Sequence, residues 1–284
     1  MVSWKRKQAK EQLNIKEKSG VVWLSFPALE ESGLVSHSFS TRIGGVSKGV
    51  FSSMNFSFTR GDEPEHVMEN YHRMAEILGT APEKMVLSYQ THTTHVRKVT
   101  EEDEGKGIVR PRDYQDVDGL ITNVPGITLV TFYADCVPLY LLDPVHRAIG
   151  LSHSGWRGTV NRMGKKTLDA MRESYGTNPE DVIACIGPSI CQDCFEVGGE
   201  VVEEFRKAFD ESWHDRLFYQ KDERNQLDLW LANEIIFVEA GVKQENIHTT
   251  DICTHCNPEL LFSHRTTGNE RGNLAAFLGL KEEK

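Results

Sequence analysis

Residues 134–160 read ADCVPLYLLDPVHRAIGLSHSGWRGTV, and the way this stretch folds decides what surrounds it. Its apolar runs at 137–142 and 148–151 flank Asp143-Pro144, a connection too short for anything but an antiparallel pair, so a β-hairpin is expected. With the turn centred between Pro144 and Val145, Asp143 faces His146 and Cys136 faces His153. Directly opposed residues share a face of the sheet, with Cβ atoms about 4.5–5.5 Å apart. A thiolate and an imidazole so placed can share one zinc ion at about 2.3 and 2.0–2.1 Å. The same letters also suit a small buried cysteine and a hydrogen-bonded histidine with no metal. Pro144 favours turns of type I or II, so a longer loop or a bulge is open as well, and an uneven insertion would move one ligand to the other face.

Upstream, residues 127–133 form a β-branched strand that delivers the chain to Asp135 and Cys136. In an extended chain Asp135 points away from Cys136. Downstream, Gly155 and Gly158 bracket Trp156-Arg157, and a helix begins at Thr159 with apolar positions at Val160, Met163, Leu168, Met171 and Tyr175. A glycine-flanked arginine at a helix start is either an anion site, with phosphate the obvious ligand, or a structural turn.

Further strands are expected at 21–26, 34–39, 85–90, 117–122, 182–186, 247–250 and 260–262. Asp62-Glu63-Pro64-Glu65 opens a scaffold helix carrying Val67, Tyr71, Met74 and Leu78, which Gly79 stops. Helices follow at 198–209 and 228–240. After the strand at 34–39, Thr41-Arg42-Ile43-Gly44-Gly45 spells either an anion-binding concavity or a plain surface turn. His92 and His95 lie three apart, so in a continuous strand they face opposite ways and only one of them can join a metal site. No repeat or Pro-rich linker divides the chain, which points to one compact α/β domain over 19–284 with mixed sheets flanked by helices.

The composition sets outer bounds. The 284 residues are 39% apolar and 26% charged with a net charge of −10, which argues against non-specific binding to nucleic acid or to an anionic membrane. No apolar run approaches the roughly 20 residues needed to cross a bilayer, and no secretory core is evident, so a cytoplasmic location is expected. Residues 1–18 carry six basic against two acidic side chains and read as a solvated, partly disordered arm. Six cysteines are too few for a disulfide scaffold in a chain this long. Four of them form the pairs Cys191-x-x-Cys194 and Cys253-x-x-Cys256, with the 58 residues 195–252 between them. At close range such pairs spell a closed four-thiolate zinc site, but this separation exceeds the usual finger or ribbon spacing. A closed site would stabilise the fold, whereas two histidines and one cysteine leave an open position for water or substrate.

Taken together, Gln90-x-His92, Ala134-Asp135-Cys136-x-Pro138, His153-Ser154-Gly155-Trp156-Arg157-Gly158, Ile186-Gly187-Pro188 with Phe195-Glu196-Val197, and Cys256-x-x-x-x-x-Phe262-Ser263-x-Arg265 occur in a distinctive order. In that order, from about Phe39 to Leu280, the chain resembles the laccase-domain family, also called purine nucleoside phosphorylase-like or polyphenol oxidase-like. The resemblance implies a single domain of layered sheets and helices, and one zinc ion with an open coordination position. By motif, His92, Cys136 and His153 would be both its ligands and the catalytic residues. It also implies phosphorolysis of adenosine, inosine, guanosine and methylthioadenosine, with adenosine deamination as a second reaction, and makes Arg42 and Arg157 the residues for substrate or phosphate. The partners would be purine nucleosides and inorganic phosphate, and the chain a monomer or weak homo-oligomer. Two departures stand out: Thr93 replaces a glycine of the usual Gln-Val-His-Gly, and Tyr71 follows Asn70 where an arginine is common.

Three other readings remain. A copper polyphenol oxidase would need clustered His-x-His pairs, and the sequence has none, which makes copper the poorer fit. Without metal, Cys136 and His153 could serve as nucleophile and base of a thiol hydrolase, for instance in editing cell-wall precursors. A non-catalytic module stabilised by zinc on the two Cys-x-x-Cys pairs is the third.

Overall fold

The apolar runs assemble into two six-stranded sheets laid face to face. In this computed structural model, which describes residues 3–7 and 12–282, the strands run in chain order. The first seven are β1 (Asn14–Lys18), β2 (Val21–Ser25), β3 (Val35–Ser40), β4 (Met85–Leu87), β5 (Val96–Lys98), β6 (Gly119–Thr122) and β7 (Thr128–Tyr133). There follow β8 (Val137–Asp143), β9 (Ala148–Ser154), β10 (Ile183–Ile186), β11 (Glu196–Val197), β12 (Phe218–Lys221), β13 (Arg224–Leu227), β14 (Ile247–Thr249) and β15 (Leu274–Leu280). One sheet has the order β1-β2-β3-β15-β7-β4 and the other β14-β10-β8-β9-β6-β5, while β11-β13-β12 make a small third sheet. In each large sheet antiparallel pairs mix with parallel ones, β4 with β7 in the first and β10 with β14 and β5 with β6 in the second.

The main core fills the space between the two sheets. Leu24, Phe39, Leu129, Ala276 and Leu278 from one meet Leu120, Tyr140, Leu142 and Leu151 from the other. Two tyrosines bridge the layers: Tyr140 donates to the Ser38 carbonyl and Tyr133 to that of Ser152, each at 3.0 Å. The helix Pro64–Leu78 covers the outer face of the first sheet with Val67, Tyr71 and Met74. Helices Met163–Tyr175, Gly199–Ala208 and Leu229–Glu239 cover the second. Because helices lie outside both sheets, β8, β9 and β15 are buried along their whole lengths. This is why their sequences are unbroken apolar runs instead of alternations.

The hairpin forms, with a different register from the expected one. Its turn holds residues 144–147, so Asp143 pairs with Ala148 and Pro138, not Cys136, lies opposite His153. The Asp143 carboxylate closes this longer turn by accepting from the backbone N–H groups of Val145 and His146, and Arg147 takes a left-handed φ of 47°. Each partner moves by two residues, and since the side-chain period of a strand is also two, Cys136 and His153 keep a common side.

Other boundaries moved for identifiable reasons. The helix expected from Thr159 is split by Arg162 at φ 64° into Trp156–Val160 and Met163–Tyr175. Residues 260–262 are not a strand, whereas β15, which no expectation covered, runs down the middle of the first sheet. Its letters LAAFLGL contain no β-branched residue and show no alternation. At the other end of the chain, Asn14–Lys18 pairs with β2 as an edge strand whose lysines suit an open edge. Arg6 is ion-paired to Asp251 at 2.5 Å. The disorder expected of the basic arm falls, for residues 1–2 and 8–11, outside the described residues. Among the described residues no helix is long and apolar enough to cross a membrane.

Replacing Tyr140 with Phe removes one buried hydrogen bond between the layers. Urea unfolding of Tyr140→Phe should show a loss of about 1–2 kcal/mol, and an unchanged midpoint would mean that the bridge contributes nothing.

Candidate metal centre and its cavities

Three chain segments converge where the second sheet meets the loop after β4. His153 lies on β9 and is buried, Cys136 precedes β8, and His92 sits in the loop 88–95. A ring nitrogen of each histidine and the Cys136 sulfur all lie within 4.8 Å of one another. The two imidazoles meet edge to face, with ring centroids 5.0 Å apart. His92 reaches this position because its backbone turns at φ 65°, so the strand geometry that separates His92 from His95 does not apply. His95 instead approaches the Asp116 carbonyl, at 3.1 Å, and is exposed.

Asp118 organises the cluster from the residue before β6, a position within the strand expected at 117–122. Its fully buried carboxylate holds His153 Nδ1 at 2.8 Å and accepts from the backbone N–H groups of Thr91, His92 and Thr93 at 2.9, 3.1 and 3.0 Å. The Thr93 hydroxyl adds a further bond at 3.1 Å. One carboxylate thus fixes both the histidine loop and the tautomer of His153, leaving Nε2 for the cluster. Burial would raise its pKa, but the bonds from His153, Thr91 and Thr93 hold it below the ordinary carboxylate range.

The same opposition governs Cys136 and His153. Burial works against charge on either, yet the His153 and His92 imidazoles lower the Cys136 thiol to about 6. Against the effect of burial, Cys136 and Asp118 raise His153 to about 9. At neutral pH these shifts describe a thiolate beside a protonated His153; the thiolate is already in the state that ligates a metal, and a bound metal would displace the proton from the His153 nitrogen that faces it. Gly155 permits the close approach: a Cβ there would stand 3.0 Å from the Cys136 sulfur and 3.2 Å from His92 Cδ2. Ligands about 2.0–2.3 Å from a tetrahedral ion lie roughly 3.3–3.8 Å apart, so the donors fit a metal after small side-chain adjustments.

Two cavities meet at the cluster and share Arg60, His92, Ala134, Cys136 and Arg271 among their walls. The first, of about 430 Å³, adds His153, Tyr89, Phe132 and Arg112. The second, of about 330 Å³, adds Trp156, Arg157, Phe195 and Arg265. Arginine density here is high for a chain of net charge −10. Arg271 is the most telling: it is 7% exposed, and its Nε has no hydrogen-bond partner. Burial first, then the Arg60 charge, lowers its pKa to about 10. Arg157 lies over the Trp156 ring at 4.2 Å and faces the second cavity. The helix beginning beside it has only five residues, which leaves the guanidinium, not a helix dipole, as the source of positive charge. Arg42 does not line either cavity; it donates to the Ser52 and Pro258 carbonyls and lies over the Phe262 ring. Asn70 and Arg73 likewise brace residues 44–47 from the scaffold helix.

Asp135 is not in an extended strand. At φ 89° it turns its carboxylate to Thr254 Oγ1 and the Arg265 backbone N–H, at 2.6 and 2.7 Å, and so ties the closing motif to Cys136. Cys191, Cys194, Cys253 and Cys256 come together as a separate group, with their sulfurs also within 4.8 Å of one another.

Two outcomes follow from this geometry. Asp118→Asn should weaken metal binding about 10- to 100-fold in a chelator competition, and wild-type affinity would show that the carboxylate is not needed. In metal-free protein the thiolate of Cys136 persists down to about pH 6. Its alkylation, followed by peptide mass spectrometry, should therefore reach half its maximal rate near that pH, and a midpoint at the ordinary thiol value of about 8.5 would contradict the assigned pairing.

Comparison with known proteins places this geometry in context. "Purine nucleoside phosphorylase YlmD" of Bacillus subtilis (strain 168) is 36% identical over 248 residues, 86% of this chain and 88% of that protein. "Adenosine deaminase RL5", from an unknown prokaryotic organism, is 35% identical over 244 residues, 85% of this chain and 92% of that protein. The crystal structure of Bacillus licheniformis hypothetical protein YfiH superposes with a TM-score of 0.87 at 32% identity, covering 94% of this chain and 99% of that one. With residues 36–281 matched by the family model described as multi-copper polyphenol oxidoreductase laccase, the chain belongs to that family.

Proposed function

We propose that the protein is a zinc-dependent purine nucleoside phosphorylase acting on adenosine, inosine, guanosine and methylthioadenosine, with adenosine deamination as a second reaction. The reading rests on one observation, the convergence of His92, Cys136 and His153 where two arginine-lined cavities meet. Relatives named for each of the two reactions support it. One thiolate and two imidazoles suit a single catalytic zinc with an open fourth position. Among the described residues, neither group close enough to share an ion offers the several histidines of a multi-copper centre.

In phosphorolysis a phosphate oxygen bonds to ribose C1′ as the C1′–N9 bond breaks. The bond's electrons leave with the purine, which takes up a proton, and the products are free base and ribose 1-phosphate. What zinc supplies when held by His92, Cys136 and His153 is Lewis acidity. The chain's own groups do the positioning. Arg60 and Arg271, common to both cavities, hold the phosphate dianion, with Arg157 beside them. Tyr89 and Phe132 on one side, or Trp156 and Phe195 on the other, offer flat faces to a purine. Arg42 acts from behind, holding the turn that leads into Ser263 and Arg265. In deamination, water replaces the amino group at purine C6 and ammonia leaves.

The Asp118–His153–Cys136 alignment favours one other reading, a metal-independent thiol hydrolase with His153 as base. Incubation of zinc-loaded protein with adenosine separates the two. The phosphorylase reading expects adenine and ribose 1-phosphate only when phosphate is present, inosine and ammonia in its absence, and loss of one zinc per chain together with turnover in Cys136→Ser. Turnover that survives metal removal, with Cys136→Ser inactive yet carrying as much zinc as the wild type, would support the hydrolase instead. Arg271→Met should raise the KM for phosphate by about 10- to 100-fold, the worth of one hydrogen bond to a charged group. An unchanged KM would place the phosphate elsewhere.

A further inference from the structure

The four cysteines outside the candidate centre lie on turns that leave neighbouring parallel strands at the same end. β10 and β14 pair through Ile186 with Thr249, and a parallel bridge continues the match from Ser189 to Cys253. The separation of 58 residues along the chain (195–252) therefore vanishes in space. Cys191 is 4% exposed, Cys253 is fully buried, and the other two are half-buried. Their sulfurs lie within 4.8 Å of one another, with Cys194 and Cys256 at 3.5 Å. A tetrahedral four-thiolate zinc site, with zinc–sulfur bonds of about 2.3 Å, places its sulfurs about 3.8 Å apart.

We propose that Cys191, Cys194, Cys253 and Cys256 hold a zinc ion in a closed four-thiolate site that clamps two turns of the cavity wall together. All four positions are taken by protein, so this ion does no chemistry on substrate. Soft thiolates select zinc over magnesium, calcium or manganese. The surroundings suit an anionic centre: the Cys191 N–H donates to the Cys253 sulfur at 3.3 Å, and the Lys7 ammonium is ion-paired to Asp193, between Cys191 and Cys194, at 3.1 Å. Asn257 ties the second turn to the N-terminal segment by bonding the Cys253 carbonyl and the Lys5 backbone.

The clamp reaches the candidate centre through three neighbours in sequence. Ile190 and Phe195, which flank the first pair, line the second cavity, and the Ile190 N–H donates to the Asp135 carbonyl at 3.0 Å. Thr254, inside the second pair, holds the Asp135 carboxylate next to Cys136. An ion that joins the two turns therefore fixes the wall and the residue before Cys136 together. This assignment stands whether or not the protein is a phosphorylase.

Elemental analysis of the full chain purified without chelator tests the site. Cys136→Ser should still carry about one zinc per chain, and the combination Cys194→Ser with Cys256→Ser should carry about one fewer than wild type and melt at a lower temperature. Cobalt loaded into Cys136→Ser reads the site without disturbing its cysteines, should the double variant fail to fold. It should give intense thiolate-to-cobalt charge-transfer bands in the near ultraviolet and strong tetrahedral d–d bands in the red. Metal-free Cys136→Ser protein with four titratable thiols at these positions, a Cys194–Cys256 disulfide in the peptide map, or zinc content unchanged in the double variant would each overturn the proposal.

Discussion

The candidate centre depends on a single buried carboxylate. Asp118 is satisfied by His153 Nδ1, three consecutive backbone N–H groups and a threonine hydroxyl. Such a carboxylate is costly to bury unless every partner stays in place. Its own desolvation therefore enforces the turn that gives His92 its left-handed backbone and the ring orientation that aims His153 at Cys136. Remove that constraint and the three donors belong to three independent segments.

Around this point the fold supplies rigidity of a layered kind. Cys136 and His153 are carried at the ends of β8 and β9, two strands packed on both faces, so their positions are set by the core between the sheets and by the helices behind. The loops that complete the cavities are pinned back onto the same place: Asp135 holds the turn containing Thr254 and the backbone of Arg265. Arg271 closes the arrangement as a buried cation whose Nε has no hydrogen-bond partner. A chain acidic overall thus concentrates positive charge where an anion would meet the candidate metal, and local arrangement outweighs net charge in deciding what binds.

Much of this was legible in the letters. Apolar runs marked many of the strands and the hairpin, and glycine with aspartate and proline marked where the scaffold helix starts and stops. The two-residue periodicity of a strand preserved the pairing of Cys136 with His153 on one side even though the turn was longer than supposed. Less legible were features that depend on partners distant in sequence. β15 lacks alternation because each of its faces is covered, and it has no β-branched residue to mark it as a strand. Asp118 is an ordinary aspartate just before β6 until its partners are known. Arg60, Arg112 and Arg271 come from loops with no motif, and the two cysteine pairs looked too far apart because the parallel pairing of β10 with β14 was not deducible from either strand alone.

The central claim is that His92, Cys136 and His153 ligate one metal ion together. Anomalous diffraction from crystals of the zinc-loaded protein, recorded on both sides of the zinc absorption edge, tests it most directly. The account predicts a peak among the three side chains, about 2.3 Å from the Cys136 sulfur and about 2.0–2.1 Å from one nitrogen of each histidine. A map with no peak there, or with a peak that one of the three fails to reach, would contradict it.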